Sequence, residues 1–104
     1  MARATINPGN CGFTTSVEAT PNGGYNVKLE IHSDCKHIQR VAARLPEVDA
    51  FQEISRRGDG PQALSVGHAE CKHTSCPVPV GIIKVVEVAA GLALPTDVTI
   101  TFDE

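Results

Sequence analysis

Phe13-Thr14-Thr15-Ser16-Val17-Glu18-Ala19-Thr20-Pro21-Asn22-Gly23-Gly24-Tyr25-Asn26-Val27-Lys28-Leu29-Glu30-Ile31 is the stretch whose reading decides the fold. Pro21-Asn22-Gly23-Gly24 has the chemistry of a tight turn, because Asn and Gly accept the positive φ that hairpin turns need. After it, Tyr25, Val27, Leu29 and Ile31 alternate with Asn26, Lys28 and Glu30. That is the period of two expected of a strand with one buried face. Before the turn, Phe13, Val17 and Ala19 keep the same alternation, broken only by polar Thr15. The two halves predict an antiparallel hairpin over 13–19 and 25–31.

Working outward, Ala2–Ile6 is expected to be a short first strand, followed by the glycine-rich loop Asn7-Pro8-Gly9-Asn10-Cys11-Gly12. On the other side, Ser33 or Asp34 caps a helix to about Leu45, with Ile38, Val41, Ala42 and Leu45 in one apolar stripe. Pro46 suits the first turn of a second helix through Val48, Phe51 and Ile54, with Arg56-Arg57 near its end and Gly58 as its cap. Ala63–Gly67 fits neither period. A third helix is expected from about Pro79 to Leu92, polar only at Lys84 and Glu87, and so either central or at a subunit interface. Pro95 ends it. Val98, Ile100 and Phe102 then alternate with Thr in a last strand. The fold expected over 1–104 is a single α+β domain. It comprises a β-meander of three strands, helices packed on one face, and a C-terminal strand returning to the sheet parallel to strands 1 and 3.

The chain has 104 residues, enough to bury a true core without disulfides or a metal. Its net charge is −3 and its basic residues form no run, which argues against a nucleic-acid partner. With three Phe, one Tyr and no Trp there is also little to stack on bases. No apolar leader follows Met1, and Val78–Leu94 is broken by Lys84 and Glu87, so no membrane span is expected. The expected setting is cytoplasmic. In a reducing compartment four cysteines point to metal binding or catalysis rather than to disulfides.

Cys11, Cys35, Cys71 and Cys76 are spread along the chain, and only Cys71-x4-Cys76 is a close pair. Topology is what should gather them. If the first strand runs up, it ends at Cys11; the hairpin returns to the same end at Cys35; a third helix running down would start there after Cys76. Two of the four sit at helix starts, where the dipole and free N–H groups favour thiolate. Gly9, Gly12 and the Pro77 loop are expected to offer further N–H donors to sulfur. Four thiolates match an iron–sulfur cluster or zinc. The absence of a tight Cys-x-x-Cys knuckle favours the cluster, a 4Fe-4S cluster foremost, with zinc as the alternative.

Thr74-Ser75-Cys76-Pro77-Val78-Pro79, with Gly81-Ile82-Ile83-Lys84 behind it, resembles a small family of uncharacterised four-cysteine proteins of anaerobic microbes. The resemblance spans most of the chain. It implies a cysteine-ligated site at Cys11, Cys35, Cys71 and Cys76 and carries no known reaction.

Two other classes compete. One is a thiol enzyme doing persulfide transfer or redox work, with Cys76 as nucleophile and His73 or His68 as its base. The other is a structural or interaction protein with inert buried cysteines. His32, His37, His68 and His73 flank cysteines and are candidate extra ligands, although loop histidines are more often simply solvated. Expected partners are a redox or delivery protein and a second copy through helix 79–92.

Overall fold

A computed structural model describes residues 1–55 and 59–104. Its strands are β1 (Ala2–Ile6), β2 (Thr15–Pro21), β3 (Asn26–Ser33) and β4 (Glu47–Asp49). Its helices are α1 (Lys36–Arg44), α2 (Ala50–Ile54), α3 (Gln62–Glu70) and α4 (Val78–Ala89). The sheet order is β1-β2-β3-β4 and every neighbouring pair is antiparallel. The α+β class therefore stands, with the hairpin at its centre. Val17 faces Ile31 and Ala19 faces Leu29 across it. Gly23 and Gly24 take φ of 83° and 56° in the turn, which their missing Cβ allows.

Val17, Ala19, Val27, Leu29 and Ile31 on the sheet and Ile38, Val41, Val66, Ile82, Val85 and Val86 on the helices form one buried cluster. Among the described residues the sixteen buried hydrophobic side chains are all aliphatic, and the few aromatics sit outside. Tyr25 and Phe51 are half exposed and meet edge-on, their ring centroids 4.1 Å apart.

Two expectations are corrected. The segment after Pro46 does not open a helix directly. The free edge of β3 recruits it first, with Leu29 N donating to Pro46 O and Ala50 N to Tyr25 O, and this buries Val48 opposite Val27. The short α2 follows, capped by Asp49, whose Oδ1 accepts from Phe51 N. Arg56, Arg57 and Gly58 lie outside the described residues. The returning C-terminal strand is the second correction. Residues 94–104 carry no strand and stay exposed, because β4 covers one edge of the sheet and the tail does not pair with the other.

The ambiguous stretch 63–67 lies within α3, and its Gly67 explains the weak pattern. A Cβ there would stand 2.5 Å from Pro79 Cγ and 2.9 Å from Pro79 Cβ, so α3 and α4 touch through a glycine and a proline ring. Gly67→Ala is expected to lower stability in a urea titration. Overpacking against a rigid buried ring costs about 1–3 kcal/mol, more than the roughly 1 kcal/mol gained in helix propensity.

Candidate functional site

β2's first residue defines one rim of the sheet, where Thr15 pairs with Ile6 on one side and Ser33 on the other. The loop that carries Cys11 leaves β1 here, and Cys35 follows β3 here as the N-cap of α1. α4 also starts at this rim, because a Cβ on Gly81 would run into the Ile6 side chain. Helix α4 thus begins near the end of the sheet where Cys11 and Cys35 lie.

The Cys71–Cys76 segment is held from both sides. Cys71 is the C-cap of α3, its N–H donating to Gly67 O at 2.8 Å. The Gly67–Pro79 contact ties the flanking helices together. Glu70 fixes α3 to α1, accepting from Arg40 Nε at 3.1 Å and Arg44 Nη1 at 2.9 Å. The Arg44 guanidinium, helped by Arg40, holds the Glu70 carboxyl below the usual carboxylate range.

Cys35, Cys71 and Cys76 are half-buried and packed on the core, while Cys11 is exposed. Burial first, and then the charge and hydrogen bond of the neighbouring Cys76, push the Cys71 thiol from its ordinary 9.0 up to about 11. Cys35 and Glu70 act in the same direction through their charge. Cys71 therefore feels both Cys76 and Cys35, and Cys11 shares their rim without joining them. Among the described residues no group of three or more His, Cys, Asp or Glu side chains is drawn together tightly enough to hold an ion as arranged.

The loop N–H groups expected to face sulfur are engaged elsewhere. Gly9 N donates to Asn7 Oδ1, Gly12 N to Gly9 O, and Cys76 N to His73 O. The starts of α1 and α4 are different, for neither has a side-chain cap, and these are the helix ends next to Cys35 and Cys76. Thr15, fully buried at the rim, has a hydroxyl with no hydrogen-bond partner. Its interruption of the apolar alternation was the only sign of it in the sequence. Glu70 gave no sign at all. His37 Nδ1 meets Arg40 Nη2 at 2.6 Å, and His32, His68 and His73 are exposed.

The raised Cys71 value has a signed consequence. A thiol whose ionisation is harder in the folded chain leaves stability intact below pH 9 and removes it as pH climbs toward 11. Metal-free protein melted across that window is expected to lose stability faster than Cys71→Ser. Superimposable profiles would show that the thiol is not coupled to folding.

No helix of the described residues is long and apolar enough to cross a membrane. No curated protein and no solved structure matches the chain. Residues 2–102, nearly the whole sequence and all of the cysteines, match a family of unknown function, DUF6951, and the chain belongs to that family.

Proposed function

We propose that this chain binds an iron–sulfur cluster or a metal ion through Cys11, Cys35, Cys71 and Cys76, and serves electron transfer, cluster or metal delivery, or sensing. The observation that carries the reading is the nearness of half-buried Cys35 to half-buried Cys71 and Cys76, brought to one rim by two separate connections. Thiols so placed resist ionising together, and a bound cation reverses that by supplying the countercharge. The starts of α1 and α4, which carry no side-chain cap and adjoin Cys35 and Cys76, would favour anionic sulfur.

The site closes when the exposed loop brings Cys11 over the other three. A 4Fe-4S cluster, wider than a single ion, spans such a spread set of ligands more readily than zinc. Zinc is the alternative, since Cys71-x4-Cys76 is the widest spacing its knuckles use. The likeness to four-cysteine proteins of anaerobic microbes, and a reducing cytoplasmic setting, are part of the same reading. The raised Cys71 value makes that thiol a poor nucleophile, and the thiol-enzyme alternative rests on Cys76.

Purification without oxygen, followed by iron, sulfide and zinc analysis, tests the proposal. Brown protein with matched iron and acid-labile sulfide supports the cluster. Colourless protein with stoichiometric zinc supports the zinc form. Protein that is metal-free when fresh and takes up neither on reconstitution sinks both.

A further inference from the structure

The last eleven residues, Leu94-Pro95-Thr96-Asp97-Val98-Thr99-Ile100-Thr101-Phe102-Asp103-Glu104, have the composition of a strand and no strand to pair with. Val98 is 60%, Ile100 80% and Phe102 90% exposed. Among the described residues the tail's backbone makes one bond, Thr96 N to Leu94 O. Val98 through Phe102 is a run of β-branched and aromatic residues with its apolar members on alternate positions, the pattern of a strand with one covered face. Left bare, such a segment is an adhesive edge.

The same chain offers an edge of matching length. β1 pairs only with β2, so its outer N–H and C=O groups are free along five residues, and Ala2, Ala4 and Ile6 give it a half-buried apolar face. The opposite edge, β4, has three residues and carries Glu47 and Asp49. Asp97, Asp103 and Glu104 make the tail acidic, so β4 repels it, whereas the one charged residue of β1 is Arg3, paired at 3.2 Å with Glu18, and β1 opposes the tail with no acidic group of its own. β1 is also backed by a helix: Gly81 of α4 packs on the Ile6 side chain at the end of β1.

We infer that residues 98–102 add as a fifth strand to β1 of a second copy of this chain, the two copies exchanging tails about a two-fold axis. One such exchange pairs both tails and both free edges, whereas a different partner protein on the tail would leave β1 bare. The inference stands apart from the metal reading, since neither the tail nor β1 contains a cysteine.

Light scattering on the full chain at high micromolar concentration is expected to give twice the 11.0 kDa chain mass. Ile100→Asp with Phe102→Asp is expected to raise the dimer dissociation constant by roughly a hundredfold or more, given the apolar area each tail hides. Thr101→Pro, which keeps the apolar side chains and removes a backbone donor, should weaken it as well. Both changes fall on exposed residues, so circular dichroism should be unaltered. Hydrogen exchange should show the outward amides of β1 protected in the wild type and released in both variants. A monomeric wild type overturns the inference, as does a dimer that both variants leave intact. A monomer with protected β1 amides assigns the tail to its own sheet and overturns it too.

Discussion

Cys71→Ser is expected to leave the purified protein with less than a tenth of the wild-type metal or cluster, while its fold persists. Removing an outer hydrogen bond from a metal site costs about 10–100-fold in affinity, and removing a thiolate ligand should cost more. Cys35→Ser and Cys76→Ser should match it, because these two share the half-buried rim with Cys71. Cys11→Ser should be milder, since its exposed loop can let water or an added thiol take the fourth position. The pH dependence has a definite sign. A metal ion must displace protons held as tightly as that of Cys71, so affinity should rise with pH by about tenfold per unit for each thiol that loses its proton on binding. Competition against a chelator of known affinity at several pH values reads this directly. Metal retention by Cys71→Ser equal to that of the wild type would remove the rim from consideration.

Glu53→Ala is expected to be the most damaging single change away from the cysteines. Glu53 is 1% exposed, and its two oxygens accept from Gln62 N and Ala63 N, both at 2.8 Å. A carboxylate from the end of α2 thus caps the start of α3, which has no cap of its own. Losing two hydrogen bonds to a charged acceptor, and stranding two N–H groups, should cost about 3–5 kcal/mol, a large share of the 5–15 kcal/mol that typically holds a domain together. Glu53→Gln keeps the volume and one acceptor and should cost less. Equilibrium urea unfolding of metal-free protein measures both, and a cost for Glu53→Ala within the range of ordinary surface changes would show that the cap is dispensable.

How much of this was visible beforehand differs from element to element. The hairpin was plain because turn chemistry and alternation agree over Val17–Ile31. Helices α1 and α4 were plain because their apolar residues repeat on one face. β4 was hidden because three residues are too few to show a period, and its pairing depends on an edge supplied by β3. α3 was hidden because Gly67, which lets Pro79 approach, interrupts its stripe. The tail's alternation points to a strand that the sheet does not contain, since pairing is a matter of what lies beside a segment, which no local pattern encodes. For the candidate site, sequence order and hairpin geometry sufficed to bring Cys11 and Cys35 to one rim. That Cys71 and Cys76 reach it depends on Gly81 fitting against Ile6, a long-range contact. Glu53 gives no sign of its role in the sequence, since nothing local distinguishes a carboxylate that reaches across to another helix.

Because each strand lies beside its neighbour in the chain, the sheet can assemble in the order in which the ribosome delivers it. Cys71 and Cys76 belong to the final third of the polypeptide and are seated only once α3 and α4 have docked on a finished sheet. On the proposed metal-binding reading, loading of the thiols would therefore be the closing step of biogenesis, on a scaffold that already stands without it.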